Sequence, residues 1–174
     1  MKTLAKTFLV AVVLVFLPAS ALFAAPPPAP EGWQTGAPRE EIRPQFSYQP
    51  RGGHDGGPRL IIQADGREGL EGWWQKPFPV QAGRHYRFTA FRRAEHVPLP
   101  RRNVVVRLLW QDAAGKPVPA DEPIVKDELL LGGWKANAEP EFPYDRQTDG
   151  AGWTEVSGTY RAPAKATRAV AELH

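Results

Sequence analysis

The sequence predicts an all-β protein, an antiparallel β-sandwich. Short runs rich in β-branched and aromatic residues recur with apolar side chains at every second position, the repeat of a half-buried strand. No window long enough for a helix keeps a helical period. Turn formers punctuate the runs throughout, with 16 glycines and 19 prolines among 174 residues.

The chain opens MKTLAKTFLVAVVLVFLPASALFAAPPPAP. Lys2 and Lys6 precede an apolar run over residues 8–17, and the small residues Ala19, Ser20 and Ala21 follow. This is the pattern of a secretory signal peptide, assigned to residues 1–24. The run is shorter than the roughly 20 apolar residues that a spanning helix needs. Export to the periplasm or the exterior is expected, with no membrane association after cleavage. Residues 25–44 read as a proline-rich spacer or N-terminal extension. Residues 45–174 read as one module, long enough for a sizeable core. The leader holds two of the 22 basic residues, which leaves 20 against 19 acidic ones and a net charge of +1. The two signs are interspersed, so no nucleic-acid partner is expected. The absence of cysteine excludes a thiolate nucleophile, a thiolate metal site and a redox pair within this chain.

The strands can be taken in order. RLIIQ, residues 59–63, follows the turn GGHDGG. Residues 73–80 come next, and Pro77 and Pro79 there suit an edge or a bend. Residues 84–93 and 103–112 are strong strands; the second closes on the turn AAGK. Residues 153–161 and 167–174 complete the set, joined by the turn APA.

Alternation assigns faces. Tyr86, Phe88 and Ala90 share one side, and Arg87, Thr89 and Phe91 the other. Val104, Val106, Leu108 and Trp110 oppose Val105, Arg107, Leu109 and Gln111. Ala169, Ala171 and Leu173 look inward, with Val170, Glu172 and His174 facing away. Neighbouring Trp73 and Trp74 cannot both enter one core. Trp74 shares parity with Phe78 and Val80 and is expected inside, with Trp73 outside. Residues 117–152 read as a long loop with one compact apolar run, Leu129-Leu130-Leu131. The last run, TRAVAELH, stops while still strand-like. An incomplete last strand is expected, in the front part of a longer protein.

Three segments resemble a known family. AGRHYRFTAFRR, NVVVRLLWQDAAGKPV and GWTEVSGTYRAPAKATRAVAELH are similar to the galactose-binding-like jelly-roll modules attached to exported bacterial enzymes. Gly83, Tyr86 and Phe88 match the family's first element. Trp110, Asp112 and Gly115 match its second. Trp153, Thr154, Val156, Tyr160, Pro163, Ala166 and Thr167 match its third. With PREEIRP, DGREGL and AEPEFPYD, the arrangement also resembles the module ahead of nitrilase-type carbon–nitrogen hydrolase domains. The resemblance implies a jelly roll. It implies either a non-catalytic accessory module that binds a polysaccharide or glycan, or a docking domain for a C-terminal hydrolase that binds no sugar. Such hydrolases use Glu, Lys and Cys, so their catalytic domain is not in this chain. The resemblance also implies a structural calcium, but the spacing of Asp65 and Glu68 is that of a plain turn. No other cofactor is implied.

Catalytic residues are not expected. Ser47 and Ser157 sit in no nucleophile elbow. His54, His85, His96 and His174 lack metal-ligand spacing. The pairs Glu68/Glu71 and Glu139/Glu141 lie in turn-rich stretches where carboxylates are solvated. The candidate ligand surface comprises Trp73, Trp134 and Tyr144 as stacking rings. Arg107, Glu155 and Glu172 join it as hydrogen-bonding groups on the non-core face. The same rings could instead cover loops or pack against a further domain. Arg92, Arg93, Arg101 and Arg102 flank the loop AEHVPLP. They form either an anion site for sulfate or uronate groups or a solvated hairpin end.

Overall fold

The computed structural model describes residues 29–121 and 136–174. The leader, the leucine run 129–131 and Trp134 lie outside the described residues. Nine strands are described: β1 Gln34–Gly36, β2 Gln45–Gln49, β3 Arg59–Gln63, β4 Trp73–Pro79, β5 His85–Arg92, β6 Val106–Gln111, β7 Tyr144–Thr148, β8 Thr154–Arg161 and β9 Arg168–Leu173. One short helix, α1, covers Pro100–Asn103, and a 3-10 turn covers Glu40–Ile42.

All pairing among these strands is antiparallel. One sheet has the order β1-β4-β9-β6, a second β5-β8-β7, and β2 with β3 forms a hairpin. The expected antiparallel sandwich is therefore the fold. The jelly-roll name continues to rest on the resemblance.

The alternation read from sequence builds the core. Trp74, Val106, Leu108, Trp110 and Ala171 share one face of the four-stranded sheet and are buried. From the three-stranded sheet, Val156 is 1% exposed. Tyr86 and Tyr160 of that sheet pack against the cluster of Trp110, Val118, Ala162 and Ala166. The hairpin shelters Trp74. Phe46 meets its ring edge-on at 5.6 Å, and Trp74 Nε1 donates to the Ile61 carbonyl at 3.1 Å.

Several expectations are corrected. β4 lies between β1 and β9, not at an edge, yet its prolines are accommodated. Val80 N–H donates to the Thr167 carbonyl at 2.9 Å. Residues of even number in β4 therefore direct their N–H groups at β9. Pro77 and Pro79 occupy the alternate positions, on the flank where β1 reaches only as far as Gln75. No ladder bond is lost there. Phe78, expected in the core, is 40% exposed, with Lys76 Nζ 5.8 Å from its ring centre. The last strand is fully paired over its described length: β9 pairs at all six positions with β4 and again with β6. β1 brings residues assigned to the extension into the sheet. β7 arises within the stretch read as loop, and α1 takes Asn103, the first residue of the run 103–112 read as a strand.

Trp110 and Pro77 give opposed predictions. Trp110→Ala should cost about 3–5 kcal/mol, as for other large core truncations. Pro77→Ala should stay within about 0.5 kcal/mol, because its position makes no ladder bond. Urea denaturation of the folded chain measures both.

Candidate functional site

The predicted site residues separate onto the two outer faces of the sandwich. Trp73, Arg107 and Glu172 meet on the four-stranded sheet. Glu172, in the central strand, is aligned with Gln75 on one side and Arg107 on the other. It is only 5% exposed. Arg107 Nε donates to its Oε2, and His174 Nε2 lies 3.5 Å from the same oxygen. The Trp73 indole lies against Gly36, where a Cβ would come within 2.6 Å of the ring. Its Nε1 donates to Gln75 Oε1 at 3.1 Å. The Arg107 guanidinium stands 5.8 Å from the indole centre and the His174 ring 5.1 Å.

Burial alone would raise the Glu172 carboxyl. Hydrogen bonds from His174 and Arg107, with their positive charge, outweigh it and hold the group below its ordinary value. The polar groups of this cluster are largely engaged with one another. It is a knitted patch that neutralises a buried carboxylate, in which, among the described residues, Arg107 is bonded through Nε alone.

Tyr144 and Glu155 stand on the outer face of the three-stranded sheet. There an open cavity of about 490 Å³ is lined by Arg87 from β5, by Glu155, Ser157 and Thr159 from β8, and by Arg146 and Gln147 from β7. Tyr144 is aligned with Ser157 and is 57% exposed. Arg146 and Gln147 are consecutive and would face opposite sides of a regular strand. The β7–β8 register shifts between Asp145 and Thr148. A bulge of this kind re-aims side chains, and here both neighbours reach the cavity. Arg146 Nε donates to Ser157 Oγ at 3.3 Å, and Arg87 Nη2 lies 3.7 Å from Glu155 Oε1.

The rest of that face is occupied. His54, from the glycine-rich turn, stacks on Phe91 with 3.7 Å between ring centres and 4° between planes. Its Nε2 lies 3.4 Å from Asp149. Trp153 meets His54 edge-on at 6.2 Å, and Arg93 lies over the Trp153 ring at 5.4 Å. Tyr144 is therefore the more open ring.

The expected arginine quartet does not act as a unit. Arg92 has the inward parity of Ala90, and its guanidinium bonds the Val104 carbonyl and Asp145 Oδ2, each at 2.5 Å. Arg93 is held by Glu95 at 2.5 Å. Arg101 and Arg102 are exposed on α1. Both carboxylate oxygens of Asp65 bond Arg67, at 2.8–3.1 Å. Arg67 in turn bonds the carbonyls of Glu41 and Arg43 at 2.6 and 2.8 Å. Asp65 thus anchors the 3-10 turn. Among the described residues, no group of three or more His, Asp and Glu side chains gathers as a cation site.

The Glu141 carboxyl is raised by burial, with the Trp110 indole opposing and the charge of Glu139 adding. Its backbone exchanges two bonds with Leu108, at 2.9 and 3.0 Å, so Glu141 extends the sheet edge. Ser157 is 4% exposed and accepts its bond from an arginine; among the described residues, no base bonds its hydroxyl.

Arg87, Arg146, Gln147 and Thr159 were missed as site residues. The outward parity of Arg87 was visible, but no partner pointed to it. Arg146 and Gln147 depend on the bulge, which leaves no sequence pattern. Comparison with protein-family models, with curated proteins and with solved structures found no match.

The depressed Glu172 carboxyl fixes a sign for pH dependence. A carboxylate favoured by the native state adds stability above its ordinary value of about 4.5 and loses it as the pH falls. The urea midpoint of the parent should therefore drop between about pH 6 and about pH 3 more steeply than that of Glu172→Gln. Parallel profiles would remove the carboxylate from this role.

Proposed function

We propose that this chain is an exported accessory module that binds carbohydrate and carries out no catalysis of its own. The outer face of the three-stranded sheet is the ligand surface. The observation that carries this reading is the open cavity lined by Arg87, Arg146, Gln147, Glu155 and Thr159, with the exposed Tyr144 ring beside it. A pyranose offers an apolar C–H face and a rim of hydroxyls. An exposed phenol can stack on the first, and mixed donors and acceptors can bond the second. Strands hold these groups in place, so little ordering accompanies binding.

Other features support the same reading. The apolar leader is that of an exported chain. The antiparallel sandwich agrees with the resemblance to galactose-binding-like modules. The chain has no cysteine, and Ser157 is committed to Arg146.

A glycan array probed with the labelled chain should show a restricted set of bound saccharides. Tyr144→Ala should weaken that binding by about tenfold, the loss of one well-packed aromatic contact. Trp73→Phe should leave it unchanged. Absence of binding by the folded chain would overturn the proposal.

A further inference from the structure

Resting on that reading, we infer that the saccharide is acidic: its carboxylate or sulfate group is gripped between Arg87 and Arg146. Both arginines line the same cavity. The Arg87 side chain is 71% exposed, and its carboxylate neighbour, Glu155, approaches no closer than 3.7 Å. That is an ion pair without a hydrogen bond. Among the described residues, Arg146 makes one side-chain bond, through Nε to Ser157, and its two terminal nitrogens make none. Each arginine thus keeps a planar fork of unspent donors, the geometry that matches carboxylate and sulfate oxygens in pairs.

The Arg146 fork is positioned from below. Ser157 holds the Arg146 stem, and Tyr144 lies under its guanidinium at 5.8 Å. Arg87 stands in β5 opposite Thr159 of β8. Two arginines against one glutamate leave the cavity with a net positive charge. An acid group would be drawn to it, while Glu155 can accept bonds from neighbouring hydroxyls. This differs from the arginine cluster near residues 92–102, where Arg92 and Arg93 already bond carboxylates.

The test compares three probes by isothermal titration against the full chain: an oligouronate, the same oligosaccharide with its carboxyls reduced to alcohols, and a sulfated oligosaccharide. Binding of an acidic probe should weaken about tenfold on carboxyl reduction, the usual scale for a hydrogen bond to a charged group. It should also weaken as salt is added. Arg146→Lys keeps the charge but loses the fork, so it and Arg87→Gln should each lower affinity about tenfold, with unchanged thermal unfolding. The tighter of the two acidic probes identifies the acid group. Equal binding of the acidic and reduced probes would overturn the acidic assignment and leave carbohydrate binding intact. If no probe binds and the array is blank, both fall.

Discussion

The structure depends on the pairing of β9. This strand, Arg168–Leu173, is bonded along its whole length to β4 on one flank and β6 on the other. That double ladder fixes which side chains of three strands share a face. With the register set, Trp74, Leu108, Trp110 and Ala171 fall on the buried side, and Trp73, Arg107 and Glu172 on the other. A slip of one residue would exchange the two sets. Tryptophan rings would then face out, and the Glu172 carboxylate would enter an apolar core with no partner. The energetic gap between those arrangements specifies the fold.

The two outer faces solve different problems. On the four-stranded sheet, the central strand carries an acid at a site with almost no solvent access. Arg107, His174, Trp73 and Gln75 surround it with donors and a flat ring. The result is a patch built around one neutralised carboxylate. On the three-stranded sheet, the bulge in β7 interrupts the alternation and turns two consecutive polar residues toward one cavity. Irregularity in an otherwise regular ladder is a common way to place ligand-contacting groups. The same sheet keeps His54, Phe91 and Trp153 packed together beside that cavity. This holds the glycine-rich turn of the β2–β3 hairpin against the sheet and leaves Tyr144 as the open ring.

How far the sequence revealed this depends on the kind of pattern involved. Regular alternation was legible in the inward parity of Tyr86, Val106, Trp110 and Ala171 and in the opposite fates of Trp73 and Trp74, though parity alone wrongly buried Phe78. Interruptions were not. Pro77 and Pro79 suggested an edge, because sequence does not show that β1 pairs only the first part of β4. Gln34–Gly36 is too short to carry a periodic signal. β7 lies in a stretch dense in charge and proline, and its register shift left Arg146 and Gln147 unmarked. Parity grouped Glu155 with Glu172 because it names a face of a strand without saying which sheet the strand joins. The inward turn of Arg92 was implied by its parity with Ala90, but its half-buried partner Asp145 lies 53 residues away in sequence.

The central claim is that one outer face holds the ligand and the other holds only itself. Nuclear magnetic resonance titration of the isotope-labelled chain with a bound saccharide tests it most directly. The account predicts shifts concentrated in the amides of β7 and β8 and in the Nε–H signals of Arg87 and Arg146, with the Trp73 indole N–H unmoved. Shifts centred on the Trp73 indole and the Arg107 Nε–H, with β7 silent, would contradict it.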